Sequence, residues 1–416
     1  ILQGGMVFRK YKPVTQWGKQ DTRIFKAILN ARNARKMAVL TVPDAVKALG
    51  VKIHDPTEQG FFDSESMQRI EREHTSFNHT DVTSHPLYSD TPCRLFEGAE
   101  PMSDGVDQAC VISKAVLRTE FPEEIMQYAL DEIGYDKVRD AILHGERFDP
   151  TLEKLPRRFD PVLFWVKHPR VHGTPVIKRG NIILDNLFRH IILTAIRKEN
   201  LKATQIKLNR DEPFSATLHS APYFTQSPLV IRGQPHLTTL STSLSKRWAN
   251  EEEVKKTMSE SIPSIAPLSP LIDFGSDHIY NKESVVARPD EDLSLHSLAW
   301  TREQSQKYPW TTEQNAANAI LYTLGAAMSE AVKRGEKSLA EFPAVSRGIQ
   351  LVNGRVDLVA VQVNTLDLSD KEEKKNIVWL QKGLRLYKPK PYFEQLSDVE
   401  ELNMDTVNKL SALILS

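Results

Sequence analysis

The dipeptide Asn353-Gly354 constrains this chain more than any other feature. Asn and Gly enter positive φ at little cost, as both central positions of a type I′ turn require. The pair separates two apolar-rich runs, Gly348–Val352 and Arg355–Val363. An antiparallel hairpin is therefore expected there, with Ile377–Leu380 as a further strand. Other strand candidates are Thr204–Leu208 and Phe214–His219, joined across Asn209–Pro213, a pair at 228–232 and 236–241, and the short run Val162–Val166. Helix signals stand beside them. Leu184, Leu187, Phe188, Ile191, Ile192 and Ala195 recur at the spacing of one helix face, predicting an amphipathic helix over 181–198. Thr311 and Gln314 suit a capping box, Ile320, Leu324, Ala327, Met328 and Ala331 form the expected core stripe, Gly325 implies close packing, and Gly335 ends the helix. Shorter helices are expected after Pro122, from about Asp136 to Gly145, and from about Ser397.

Between these signals, 51–105 reads mainly as extended loop, Ser261–Pro270 as a Pro/Ser-rich linker, and 281–310 as irregular. Helices and short hairpin-joined strands alternate in blocks, which favours an α+β class over a doubly wound parallel sheet. The expected organisation is a basic arm (1–36), a loop-rich segment packing on the body or its neighbours (37–105), and one large mixed body of helices and mostly antiparallel strands (106–416).

Charge divides the chain the same way. Over 416 residues, 54 Lys and Arg balance 54 Asp and Glu. The first 36 residues hold nine bases, Arg9, Lys10, Lys12, Lys19, Arg23, Lys26, Arg32, Arg35 and Lys36, against the single acid Asp21. The rest of the chain then has 45 basic and 53 acidic residues. Phe8, Tyr11, Trp17 and Phe25 interleave with the arm's charges, and 22–36 read as a short helix. Lys and Arg neutralise phosphates while aromatic faces stack on unpaired bases. Arg9, Lys10, Lys12, Trp17, Lys19, Arg23, Lys26, Arg32, Arg35 and Lys36 are the candidate RNA-binding residues. A solvated tail and an import presequence are the competing readings of such a segment. The chain opens on Ile1, as a truncated or processed chain would. Cys93 and Cys110 form no C-x-x-C pair and read as reduced, buried thiols. No run approaches the length of a membrane span.

The common catalytic signatures are missing. There is no G-x-G-x-x-G, P-loop, G-x-S-x-G or H-E-x-x-H. Glu71, Glu73, His74, His79, Asp81 and His85 are metal-ligand types at spacings that fit no standard site, so no metal and no cofactor is expected. Asp357, Gln362 and Asn364 partly mimic the acid–acid–lysine pattern of some metal-dependent nucleases, but an amide stands where each remaining acid or lysine would be.

Several blocks in the body are similar to one family. They are His85–Tyr88, Cys93–Gly98, Asp107–Leu117, Asp185–Leu193, Phe214–Ser220, Leu268–Asn281 and Gln362–Leu380. In this order they resemble the metazoan mitochondrial large-ribosomal-subunit protein thirty-seven family, whose sister group is the programmed-cell-death-nine mitoribosomal proteins. The resemblance implies a non-enzymatic structural protein of the mitochondrial matrix. Its partners would be large-subunit rRNA and other mitoribosomal proteins, including the sister family's member. Two alternatives come from other classes: a degenerate nuclease-like or RNA-processing protein built around Asp357, and a transient RNA-binding adaptor.

Overall fold

A computed structural model gives the fold. It describes residues 23, 26–31, 44–50 and 81–416, apart from short stretches of which the longest are 199–204, 242–246, 266–273, 287–292 and 392–396. The chain forms two compact units, Ile1–Thr80 and Asp81–Ser416. In the first, residues 23 and 26–31 and the short segment Asp44–Ala48 are helical and exposed.

The second unit begins with β1 (Tyr88–Phe96), α1 (Val106–Ser113), β2 (Ala115–Arg118), α2 (Glu123–Met126), α3 (Tyr135–Gly145), β3 (Glu153–Lys154) and β4 (His172–Gly173). The long α4 (Val176–Arg197) leads to β5 (Ile206–Arg210), β6 (Phe214–Leu218), β7 (Leu229–Gly233), β8 (Leu237–Ser241) and α5 (Glu251–Ser259). Then come β9 (Gly275–Ile279), β10 (Val285–Val286), β11 (Ser294–Thr301), α6 (Thr312–Arg334), β12 (Ala344–Val352), β13 (Arg355–Val363), β14 (Asn376–Arg385) and α7 (Met404–Leu415).

Two mixed sheets carry the architecture. One runs β2-β14-β13-β12-β11-β8-β5, the other β10-β6-β7-β1-β9. The β2–β14, β11–β12 and β1–β7 pairs are parallel and the remaining ones antiparallel. The class is therefore α+β, as the block pattern implies. The Asn353-Gly354 turn closes the β12–β13 hairpin with Val352 opposite Arg355, and both turn residues have positive φ, 49° and 70°.

Helix α6 lies between the two sheets. It packs on β12, β13 and β14 on one side and on β6 and β7 on the other. Every residue from Asn315 to Ala331 is buried, not only the stripe expected from its spacing. A helix covered on all sides needs no polar face, and small residues let both sheets approach. A Cβ at Gly325 would fall inside contact distance of Ile231 Cγ2, and one at Gly348 inside that of Thr323 Oγ1. The capping box forms as expected, Gln314 N–H donating to Thr311 Oγ1 at 3.2 Å and Thr311 N–H to Gln314 Oε1 at 2.9 Å.

Strand alternation then sorts the core. Val359, Val361 and Val363 face α6, while Leu358 and Ala360 join Ile183, Leu184, Leu187 and Phe188 of α4 and Leu410 and Leu413 of α7 on the far side of the sheet. The body is thus layered sheet, helix, sheet, helices.

Several expectations change. Tyr88–Phe96, within the stretch expected as loop, is β1 and sits between β7 and β9. Ser294–Thr301, within the stretch expected to be irregular, is β11 in the middle of the larger sheet; His296 and Ser297 interrupt its apolar pattern but are satisfied inside. The paired candidates around 204–219 and 228–241 are not local hairpins. β5 pairs with β8 and β6 with β7, so the four form one long antiparallel ribbon. The ribbon breaks at Asp211, where φ is 54°, and its halves enter different sheets. Val162–Val166 is not a strand but an exposed turn. The last helix starts at Met404, capped by Asn403, rather than near Ser397.

Candidate functional site

Of the ten candidate RNA-binding residues, Arg23 and Lys26 are described. Both are exposed on helical backbone, as are Ile28 and Leu29 beside them. Arg9, Lys10, Lys12, Trp17, Lys19, Arg32, Arg35 and Lys36 lie outside the described residues.

The nuclease-like trio is split, with Gln362 and Asn364 together and Asp357 apart from them. Asp357 and Gln362 are five residues apart on β13 and face opposite sides of the sheet. Asp357 accepts from Gly383 N–H at 2.7 Å and Gln350 Nε2 at 3.1 Å. Gln350 in turn ties Asn318 of α6 and Trp300 of β11 into the same buried group. Burial pushes the Asp357 carboxyl up to about 6, against the lowering pull of its two hydrogen bonds. Gln362 turns the other way and accepts from Trp248 N–H and Ala249 N–H at 2.9 and 3.0 Å. Its amide donates to Asn364 Oδ1 at 2.9 Å. All three residues are therefore engaged in holding loops and strands together. Of the His-bearing stretch, the described members Asp81 and His85 bind backbone N–H groups of Thr83 and Leu87. Among the described residues no group of three His, Cys, Asp or Glu is placed to hold a metal.

Two surface cavities have well-defined linings among the described residues. The first, of about 570 Å³, is lined by Glu146, Arg158, Arg179, Arg302 and Tyr387 among others. One of its carboxylates is engaged: Glu146 accepts from Arg179 Nη1 at 3.1 Å and from the Tyr387 hydroxyl. Burial, together with the Glu146 charge, pushes the Tyr387 phenol well above its ordinary value, so it remains a donor. Arg179 Nε donates to Thr174 O at 3.0 Å. Arg302 stacks over Trp310, 3.1 Å from the ring centroid, and burial lowers it to about 10. The second cavity, of about 1120 Å³, borders Lys114 and Lys375. Lys114 Nζ donates to Ser369 O, and Lys375 Nζ to the carbonyls of Thr257, Met258 and Glu260 at the end of α5. Both lysines thus fasten backbone carbonyls.

Nothing in the sequence marks Arg347, a fully buried guanidinium on β12. It donates to Ser416 Oγ at 3.0 Å and to His296 O at 3.3 Å, and lies over the Trp248 ring at 4.7 Å. Burial pushes it down to about 9. Its role is to join strand, helix end and loop. The run Val162–Val166 was visible, but an apolar pentapeptide reads as a buried strand, and its exposure could not be inferred from composition.

The buried polar groups thus connect elements, and Glu146, Arg179, Lys114 and Lys375 at the two cavities are bound to backbone or to other side chains. No family model matches the chain. It is 25% identical over 324 residues to "Large ribosomal subunit protein mL37" of Rattus norvegicus, covering 74% of this chain and 69% of the relative. It is also 25% identical over 318 residues to the protein of the same name from Bos taurus, with the same coverage. Against that of Gallus gallus it is 24% identical over 321 residues, covering 73% and 68%. The chain resembles the mL37 family.

Proposed function

We propose that this chain is a structural component of the large subunit of the mitochondrial ribosome. The observation that carries this reading is the similarity to mL37 along about three quarters of the chain, in mammals and a bird. The body supports it, because its polar interior is spent on cohesion. The protein acts in the mitochondrion, by occupying a position in the particle rather than by turning over a substrate.

Within that role the two charge regions divide the work. The basic arm, 1–36, runs along rRNA through Arg9, Lys10, Lys12, Lys19, Arg23, Lys26, Arg32, Arg35 and Lys36, with Trp17 stacking on an unpaired base. The acidic body docks on neighbouring ribosomal proteins, among them the sister-family protein. If six of the nine bases touch phosphate, the logarithm of affinity falls with the logarithm of salt at a slope of about −4 to −5.

Sedimentation tests the reading first. The native protein should travel stoichiometrically with the large subunit at moderate salt. Recovery in a free fraction, or in a complex without large-subunit rRNA, rejects it. Deleting 1–36 should flatten the salt slope; an unchanged slope rejects the arm's part alone.

A further inference from the structure

Val162, Leu163, Phe164, Trp165 and Val166 are consecutive, apolar and all exposed, Phe164 by 69% and Trp165 by 64%. Isolated exposed apolar residues are ordinary; a contiguous group on a folded surface marks an interaction site. The group also has a held shape. The Asp160 carboxylate accepts from the N–H groups of Val162 and Leu163 at 2.9 and 3.0 Å, which keeps it below the usual carboxylate range. Val166 N–H closes the turn on Leu163 O at 2.9 Å. The Phe164 and Trp165 rings meet edge to face, with centroids 4.9 Å apart. At the base, β3 pairs with β4, and Arg170 spans them by donating to Leu155 O at 2.9 Å and Lys154 O at 3.1 Å. The tip is a preformed apolar knob on a short hairpin.

Its charge sets it apart from the rest of the body. Residues 153–172 hold five bases and two acids, whereas the remainder of 37–416 holds 40 bases and 51 acids. Arg157, Arg158 and Lys167 are exposed beside the knob. A basic surround alone would suit RNA as well as protein. The knob decides between them. Three of its five side chains are aliphatic and offer no π face to a base, and the edge of one aromatic ring already abuts the other. A Trp and a Phe set in an apolar patch with a polar, Arg-bearing rim are instead the anatomy of a protein interface.

We propose that the Val162–Val166 knob inserts into an apolar cleft with an acidic rim on a neighbouring protein, Phe164 and Trp165 filling the cleft while Arg157 and Lys167 face its carboxylates. The neighbour's place in the ribosome rests on the function proposed above.

The test replaces the full-length protein in cells with a form carrying a photoreactive benzoylphenylalanine at position 165. Large subunits are then isolated and irradiated. The cross-link should fall on a protein segment in which apolar residues are flanked by Asp or Glu. A cross-link to rRNA, or none, overturns the proposal. In parallel, the double variant Phe164→Ser/Trp165→Ser should fold with an unchanged urea midpoint yet be retained on subunits at least about tenfold less well. Lys167→Glu should weaken retention less, with a difference that fades at high salt. Retention of the double variant equal to that of the wild type overturns the knob while leaving the ribosomal role intact. Failure of the wild type to co-sediment overturns that role and, with it, this partner.

Discussion

Helix α6 and the Val162–Val166 turn are both apolar, and they meet opposite fates. The helix is rich in Ala, holds one Gly, and is covered by a sheet on each side. The turn is richer in large side chains but is pinned by Asp160 into a tight bend on a two-stranded base, where its five side chains are exposed. What separates them is not hydrophobicity but the number of surfaces brought against each. Size matters too, since α6 fits between two sheets because its residues are small.

Truncations and insertions at the two places should therefore differ sharply. Leu324→Ala, at the centre of α6, removes a fully buried side chain from a layer that cannot collapse around it, and should cost about 4 kcal/mol in urea unfolding of the full chain. Gly348→Val should cost about 3 kcal/mol, because its side chain would collide with Thr323 on the facing helix. A change below about 1 kcal/mol for either would mean that the sheet–helix–sheet layering is looser than its packing indicates.

Asp357 probes the same interface through pH. Its carboxyl titrates near 6 in the folded protein and near 3.8 when free. The folded state therefore binds a proton that the unfolded chain does not over roughly pH 4–6, so this residue's contribution to stability is present below about 4 and is lost as pH rises through 6. Asp357→Asn removes that dependence. Relative to wild type, the variant should gain about 3 kcal/mol between pH 4 and pH 7. Parallel stability curves for the two proteins would show that the carboxyl is not held in a dry environment. Least affected should be Phe164→Ser/Trp165→Ser, whose urea unfolding should stay within about 0.5 kcal/mol of wild type. A larger loss would mean the turn is part of the body's own core.

The same contrast explains which parts could be read in advance. The β12–β13 hairpin was legible because Asn353-Gly354 has a backbone requirement independent of everything else. So was the start of α6, where Thr311 and Gln314 satisfy each other locally. The strands β1 and β11 were not, since Tyr88–Phe96 and Ser294–Thr301 carry polar residues whose partners come from distant segments: Tyr280 for Ser89, Thr239 for His296 and Ser297. The sequence of β5 to β8 has the pattern of two local pairs because short connectors normally join neighbours; the pairing of β5 with β8 and of β6 with β7 depends on a break at Asp211 that only the two-sheet packing demands. For the site, charge alone picked out the arm. The knob escaped because a run such as Val-Leu-Phe-Trp-Val has the composition of a core strand.

The larger sheet also has a temporal consequence. Its edge strand β2, Ala115–Arg118, can pair only when β14, Asn376–Arg385, has emerged, and Asn376 Nδ2 fastens the junction to Ser113 O at 3.0 Å. Strand β1 likewise waits for β7, more than 130 residues later. Non-local pairing of this kind is slow and leaves strand edges open in the meantime. During synthesis, or during threading through a narrow pore, the early strands would have to be shielded until the end of the body arrives. A chaperone that releases the chain before β14 would deliver an unsealed sheet, prone to stick to its own copies.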